Sequence, residues 1–178
     1  MKNACPSVAD TFIYRVREVE GQDDDIADML ADLHRLTFFN GACLPDFDRG
    51  HWWLAYHGAI PVAFAGLVPS THAHNAGYIC RVGVLKKHRG RQLQLRLMRA
   101  MESRARHNGW NCMVSDTTEN PASANNLIRA GYRLYLPQHP WAYSNTLYWR
   151  KAIASRSISP KARQRFVSSC YGTYPKRL

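Results

Sequence analysis

The sequence predicts a mixed α/β domain, because segments that alternate apolar and polar residues are interleaved with segments whose apolar residues recur every three or four positions. The longest such unit spans residues 78–107, where a β-rich run leads through the basic turn Arg89-Gly90-Arg91 into an amphipathic helix. With 178 residues, 46% of them hydrophobic, the chain can bury the core of one globular domain.

The first elements follow from local patterns. Residues 11–19 alternate apolar and polar side chains, as an opening strand does, and Gly21 ends this strand. The acidic run 23–25 precedes a segment, 26–36, with apolar residues at helical spacing, and acids at a helix N-terminus complement its dipole. Residues 38–48 contain a glycine and a proline and are expected to form a loop that helps to shape a substrate mouth.

A β-hairpin and a polar loop come next. The apolar runs 51–57 and 60–68 are separated by Gly58-Ala59, which predicts two paired strands. The polar loop after them carries His72 and His74. Two histidines two residues apart raise a metal-site hypothesis, but no third ligand stands at a clear spacing, so a solvent-facing pair is favoured and no metal is expected.

The second half of the chain alternates strands and helices. A central strand over 77–85 enters the basic turn and helix already described, and Asn108-Gly109 is a typical C-terminal cap. The remaining predicted elements are a strand over 112–117, a helix that begins at Asn120-Pro121 and ends at Gly131, and two final strands over 132–136 and 146–150. The predicted order is therefore β-α-β-β-β-α-β-α-β-β.

Composition limits the protein class. No run of about 18 apolar residues exists and the N-terminus lacks an apolar signal region, so we expect a cytoplasmic protein without a membrane span. The five cysteines are odd in number and lack a C-x-x-C pair, which argues against a disulfide framework or a zinc site. We expect residues 1–151 to form a single domain and residues 152–178 to form a mobile tail.

The charge is strongly basic, at +11, and the tail 152–178 contributes six Lys or Arg and no acid. Residues 81–106 hold a further nine Lys or Arg against the single Glu102. Such a surface favours polyanions such as nucleic acid, while a solvated face with a basic end explains the same composition. Both interpretations stay open at this point.

The glycine-bearing basic turn before the long helix predicts a site for a phosphorylated ligand, because a helix N-terminus presents unpaired N–H groups and a positive dipole. Around this turn the chain resembles a GNAT-type N-acetyltransferase over residues 11–151. The resemblance rests on V-G-V ahead of H-R-G-R, on N-P-A-S ahead of A-G-Y, and on the terminal L-Y-W-R-K. It implies a mostly antiparallel sheet with a splayed central strand and flanking helices, and transfer of an acetyl group from acetyl-CoA to an amine.

The resemblance also implies the cofactor contacts. Backbone groups of two valines on the central strand would pair with the pantetheine arm, and N–H groups and arginines of the turn would hold the pyrophosphate. Asn120 either caps the next helix or contacts the pantetheine, and the two roles are compatible. The expected cofactor-binding residues are Val82, Val84, Arg89, Gly90, Arg91, Gln92, Leu93, Gln94, Asn120 and Ser123.

The sequence departs from the family pattern in three respects. Gln92 and Gln94 stand where the family has glycines; we expect these glutamines to adopt helical dihedrals, with a more crowded approach for phosphate. Leu127 stands where the family often has a tyrosine that protonates the departing thiolate. The family's frequent glutamate base near the start of the central strand is also missing.

Replacement catalytic groups must therefore be sought elsewhere. A neutral amine attacks the thioester carbonyl, a base takes its proton and an acid can protonate the sulfur. The candidates for the base are His74 and Asp116, although Asp116 is also expected to cap the turn over 117–120. Tyr143 is the catalytic acid we select, with Tyr135 and Tyr148 as alternatives. A third alternative is that no acid is needed, because the CoA thiolate is already a tolerable leaving group.

The charge of the chain bears on the acceptor substrate. The basic surface and the aromatic loop Pro140-Trp141-Ala142-Tyr143 favour an amine carried on nucleic acid, or an acidic protein partner. We expect the protein itself to be a monomer or a homodimer. The alternative function is a GNAT-fold module that binds CoA or a polyanion but has lost the chemistry. Arg81, inside an apolar strand, is expected either to face the substrate cleft or to pair with an acid.

Overall fold

The computed structural model describes residues 14–38 and 42–153. Their strands and helices follow in the predicted order, with one additional short 3₁₀ turn, Lys86–His88, between the central strand and the long helix. The elements are β1 (Tyr14–Val19), α1 (Asp24–Thr37), β2 (His51–His57), β3 (Ile60–Pro69), β4 (Ala76–Val84), α2 (Leu93–His107), β5 (Cys112–Thr118), α3 (Pro121–Arg129), β6 (Arg133–Leu134) and β7 (Thr146–Ala152).

The strands form one seven-stranded sheet in the order β1-β2-β3-β4-β5-β7-β6. Every neighbouring pair is antiparallel except β4 and β5, which are parallel. The parallel pair is brief, because only Ala76–Tyr78 of β4 pair with residues of β5. Past Tyr78 the two strands separate, which confirms the mixed, mostly antiparallel fold with a splayed central strand.

The two faces of the sheet carry separate cores. On one face, Leu97, Met98 and Met101 of α2 pack with Met113 and Trp149 of the sheet, all of them almost completely buried. On the other face, Leu30 and Leu33 of α1 pack with Trp52, Leu54 and Phe64. The helices bury these residues because their apolar side chains recur on one stripe, as the sequence predicts.

Local sequence accounts for the helix ends. The side chain of Asp23 accepts a hydrogen bond from the Ile26 N–H at 3.1 Å and caps α1. Asn120 caps α3 in the same way, and Pro121 follows at the first helical position, where its missing N–H costs nothing. Gly109 follows α2 with a φ of +72°, a left-handed conformation that suits glycine.

A register shift divides strand β4 into two parts. Gly66 of β3 pairs with Arg81, but the next residue, Leu67, pairs with Ile79, so Cys80 is an extra residue in β4. Before the shift Ile79 faces the α2 core, and after it Val82 and Val84 face the same core. Cys80 and Arg81 are therefore consecutive residues that both face α1.

Some element bounds differ from the prediction. Strand β6 covers two residues rather than 132–136. The Tyr135 N–H makes the last backbone hydrogen bond to β7, to the Tyr148 carbonyl, and Pro137 has no N–H with which to extend the pairing. Residues 11–13 of the predicted first strand and residues 154–178 of the predicted tail lie outside the described residues. Strand β7 extends to Ala152, one residue past the expected domain boundary. No helix in the described ranges is long and apolar enough to cross a membrane.

Candidate functional site

The separation of β4 from β5 opens a cavity of about 1110 Å³. Its walls are the second half of β4, the N-terminus of α2, the joint between β5 and α3, residues 143–145 of the β6–β7 loop, and the end of α1. Nine of the ten expected cofactor-binding residues line this cavity: Val82, Val84, Arg89, Gly90, Gln92, Leu93, Gln94, Asn120 and Ser123. Arg91, the tenth, is exposed and does not line it.

The N-terminus of α2 brings N–H groups that have no partner inside the helix to the wall of the cavity. Helix α2 begins at Leu93, and its first intrahelical bond runs from the Arg96 N–H to the Gln92 carbonyl at 3.1 Å. The preceding N–H groups, those of Leu93, Gln94 and Leu95, belong to residues that line the cavity and have no i−4 partner inside the helix. The N–H groups of these three residues are therefore the candidates for binding an anion at this end of the cavity.

Gln92 does not adopt the helical dihedrals expected from the sequence. Its φ of 59° and ψ of 19° place it in the left-handed region, and Gly90 also has a positive φ, of +77°. A side chain in this region is strained by contact of its Cβ with the backbone. The turn therefore keeps the conformation that a glycine would adopt easily, although a glutamine occupies the position.

Gln94 bridges two helices across the cavity floor. Its Nε2 donates a hydrogen bond to Ser123 Oγ at 2.9 Å, and its Oε1 accepts one from Asn126 Nδ2 at 2.7 Å. Both partners lie on α3 and line the cavity. The polar side chain that replaces a family glycine is thus fixed by two bonds rather than projecting freely into the site.

Basic groups surround the end of the cavity at the N-terminus of α2. Arg89 is exposed and its Nε donates to the Val84 carbonyl at 3.2 Å, which ties the turn to the end of β4. His88 lines the cavity, and its Nδ1 lies 3.0 Å from the hydroxyl of Tyr14 on β1. Desolvation, followed by the charges of His57, Arg91 and Lys87, lowers the pKa of His88.

A profile of the acetyltransferase (GNAT) family matches residues 16–132, which is more than half of the 178-residue chain. The chain belongs to the GNAT family. The match covers the sheet from Val16 in β1 to the end of β5, helices α1 to α3 and the whole basic turn before α2 of this GNAT protein. No curated protein has significant sequence similarity to it.

Solved structures of the same fold agree with this assignment. The ribosomal-protein-S18-alanine N-acetyltransferase of Escherichia coli is 9% identical with a TM-score of 0.62, covering 83% of this chain and 98% of that chain. An acetyltransferase of Bacillus subtilis in complex with CoA is 13% identical with a TM-score of 0.62, covering 80% and 100%. A GNAT acetyltransferase of Staphylococcus aureus is 14% identical with a TM-score of 0.63, covering 79% and 100%. At these identities the similarity establishes the fold.

The three catalytic candidates occupy different places in this GNAT protein. Tyr143 lines the cavity and is 78% exposed. His74 lies in the exposed loop before β4 and does not line the cavity. Asp116, on β5, does not line it either; its carboxylate accepts hydrogen bonds from Tyr78 and Trp141, so its contacts differ from the expected cap of the 117–120 turn.

The two alternative tyrosines, Tyr135 and Tyr148, lie outside the cavity wall. The Tyr148 hydroxyl accepts a hydrogen bond from the Ala142 N–H at 3.0 Å, and the Tyr135 hydroxyl is buried without a partner among the described residues. Leu127, at the position of the family tyrosine, is only 1% exposed and belongs to the core. Leu127, Tyr135 and Tyr148 do not line the cavity, so none of these described residues supplies a proton donor to it.

Sequence reasoning missed Glu119. It is the one carboxylate among the described residues that line the cavity, and its Oε1 accepts a hydrogen bond from Asn145 Nδ2 at 2.8 Å. Its φ of 51° is in the left-handed region, an unusual conformation for a non-glycine residue that often marks a functional position. Its position between the end of β5 and the cap residue Asn120 was the one feature of the sequence that could have indicated a residue at the cavity.

Arg81 pairs with no acid in the described structure. Its Nε lies 3.4 Å from His34 Nε2, its other nitrogens donate to the carbonyls of Cys80 and Cys43, and its guanidinium lies over the Phe38 ring. Burial, then the charges of Arg81 and Arg35, lowers the pKa of His34, so its neutral form accepts this bond. Arg81 thus connects β4 to α1 and to the loop after α1.

Proposed function

We propose that this GNAT protein is an acetyl-CoA-dependent N-acetyltransferase that acts on a primary amine. The observation that carries the proposal is the cavity between the separated strands, which ends at the unpaired N–H groups of the α2 N-terminus. A helix N-terminus attracts a phosphate through both its N–H groups and its dipole. A volume of about 1110 Å³ suits a ligand as large as CoA.

The residues present fit such a ligand. The edge of β4 that carries Val82 and Val84 has no partner strand on the β5 side, because pairing with β5 stops at Tyr78. The Val84 carbonyl already accepts a hydrogen bond from Arg89 Nε, so the backbone groups available to the amides of a pantetheine arm are the Val84 N–H and those of Val82. Leu93, Gln94 and Leu95 would donate to the pyrophosphate, and Arg89 would add charge at the open end.

Bound acetyl-CoA supplies the activated acetyl group. Of the chain's own residues, Glu119 is best placed to accept the proton of the acceptor amine, since it is ionisable, lines the cavity and is oriented by Asn145. Tyr143, on the β6–β7 loop that also carries Asn145, is the proposed proton donor. His74 stays a sequence-based prediction, and we route no step through it because it does not line the cavity.

The nature of the acceptor beyond an amine rests on charge alone. The +11 net charge disfavours a free polycation and favours an amine carried by an anionic molecule such as nucleic acid. Six of the basic residues lie in segment 152–178, almost all of which falls outside the described residues. The nucleic-acid link therefore remains a prediction.

Thermal denaturation with increasing acetyl-CoA tests the binding step. Saturation at about 100 times Kd adds roughly 2.7 kcal/mol of stability, or on the order of 5–10 °C in Tm for a chain of this size. Arg89→Glu should remove most of the rise. Arg99→Glu is the matched control, since it makes the same charge change on the exposed face of α2, away from the cavity.

A rise in the parent and in Arg99→Glu, but not in Arg89→Glu, would support the proposal. No rise at millimolar acetyl-CoA would refute it and favour the polyanion-binding alternative. The chemical step is then tested by following release of the CoA thiol with a panel of primary amines. Glu119→Gln should lower kcat by about 10²-fold or more if this carboxylate is the general base.

A further inference from the structure

Asp116 lies just beyond the point where β4 and β5 separate. The last paired residues of the two strands are Tyr78 and Val114, and Asp116 follows two residues later on β5. The Tyr78 hydroxyl donates a hydrogen bond of 2.6 Å to Asp116 Oδ1. A side-chain bond therefore continues the connection between the strands where the backbone ladder has stopped.

The same oxygen also holds the β6–β7 loop. Trp141 Nε1 donates to Asp116 Oδ1 at 3.0 Å. The Trp141 ring is stacked on His72, with centroids 4.1 Å apart and planes within 8°, and it contacts Tyr148 edge-on at 4.5 Å. The backbone N–H of Ala142 then donates to the Tyr148 hydroxyl. The residues that follow, Tyr143 to Asn145, form one wall of the cavity.

We propose that Asp116 is a positioning residue, whose carboxylate joins β4, β5 and the β6–β7 loop and thereby fixes the cavity wall that carries Tyr143. The statement that this wall faces the acceptor amine rests on the proposed function, whereas the contacts of Asp116 are observed in the structure itself. A carboxylate that accepts from two neutral donors forms charge-assisted bonds, which are stronger than neutral ones. One oxygen thus fixes three elements that are distant in sequence.

The groups around Asp116 are consistent with a positioning role for its carboxylate. Tyr78 is mostly buried, and burial, followed by the charge of Asp116, raises its pKa well above the usual range, so the phenol remains a donor at neutral pH. No salt bridge among the described residues involves Asp116. The sequence suggested Asp116 as a general base, and the two roles predict different behaviour for the amide variant.

Asparagine at position 116 keeps an oxygen in the place of Oδ1 but cannot accept a catalytic proton. Alanine removes the acceptor altogether. Asp116→Asn should therefore preserve the loop, whereas Asp116→Ala should release it. Asp32→Ala is the matched control, because Asp32 forms an exposed ion pair with Arg35 on α1, far along the chain from this cluster.

Hydrogen exchange of the full-length protein without acetyl-CoA measures the loop directly. In peptides covering 135–146 we expect exchange at least tenfold faster in Asp116→Ala, less than threefold faster in Asp116→Asn, and unchanged in Asp32→Ala. Tyr78→Phe removes one donor only and should give an intermediate rate, which keeps the test usable if the alanine variant folds poorly. Unchanged exchange in Asp116→Ala, or equal exchange in both Asp116 variants, would overturn the proposal.

A kinetic test separates positioning from catalysis. With an amine found in the thiol-release screen, loss of positioning in Asp116→Ala should raise KM for the amine tenfold or more and leave the acetyl-CoA thermal shift intact. Asp116→Asn should restore most of this KM. A collapse of kcat in Asp116→Asn with normal loop exchange would identify Asp116 as the base and refute positioning. The exchange experiment uses neither acetyl-CoA nor an amine, so it tests the positioning role alone. A negative result there is therefore distinguishable from a failure of the proposed acetyltransferase function, which the thermal shift and thiol release test.

Discussion

Replacing Gln92 by glycine should stabilise the protein, although glycine usually destabilises. Gln92 has a φ of 59°, and a residue with a Cβ pays about 1–2 kcal/mol in this region. Glycine avoids that strain but loses roughly 0.5–1 kcal/mol more conformational entropy on folding. The difference predicts a net gain of about 0.5–1 kcal/mol, or roughly 1–4 °C in Tm for a chain of this length.

Gln94, two residues later, is the matched control because the same substitution should have the opposite effect there. It lies inside α2, where glycine costs up to about 1 kcal/mol relative to other residues. Its side chain also makes two hydrogen bonds to α3, worth about 1 kcal/mol each. The expected loss is therefore about 2–3 kcal/mol.

Urea denaturation of both variants without ligand measures the two free energies of unfolding. Opposite signs would support the left-handed conformation of Gln92 and the bridging role of Gln94. If Gln92→Gly destabilised the protein by 1 kcal/mol or more, the strain argument would be refuted. Equal losses in both variants would mean that the helix begins before Gln92 and that the N–H groups facing the cavity have been assigned incorrectly.

Two further predictions concern buried polar groups. Tyr135→Phe removes a buried hydroxyl without a described partner and should raise the free energy of unfolding by about 1 kcal/mol. Tyr148→Phe loses the hydrogen bond from the Ala142 N–H and should lower it by about 1 kcal/mol. A Tm that is lower for Tyr135→Phe than for Tyr148→Phe would contradict this prediction. Because the pKa of His34 is lowered from 6.5 in the folded state, the unfolded chain binds more protons below that pH, and stability should fall as pH drops from 7 to 5. His34→Gln, which keeps an acceptor for Arg81, should reduce this loss of Tm, and an unchanged pH dependence would refute the assignment.

The order of the elements could be predicted because each leaves a local signal. The two apolar runs of β2 and β3 on either side of Gly58-Ala59, the helical spacing in α2 and the Asn120-Pro121 start of α3 depend only on residues close in sequence. The two-residue length of β6 did not follow from residue type, because only Arg133 and Leu134 pair with β7, a strand far along the chain. The intrinsic strand propensity of a residue does not say whether a partner strand lies beside it. Pro137, which has no N–H, was the one local signal that the predicted strand was too long.

The candidate site was predicted in part for the same reason. The turn and the cap residue Asn120 follow from local chemistry and, with the family resemblance, gave nine residues that do line the cavity. The left-handed Gln92 could not be read from its residue type, because glutamine carries no signal for that conformation. The contact of Asp116 with Trp141 joins positions 25 residues apart through a folded-back loop, which no sequence spacing reveals.

The extra residue at Cys80 has a consequence for how β4 tolerates change. Ile79 faces the α2 core and Arg81 faces α1, so deleting the extra residue between them would leave a regularly alternating strand with both side chains on their present faces. A deletion where the alternation is already regular has the opposite effect: loss of Gly83 would turn Val84 from the α2 core toward α1. We therefore expect β4 to tolerate a change of length at position 80 but not in the regularly alternating segment 81–84.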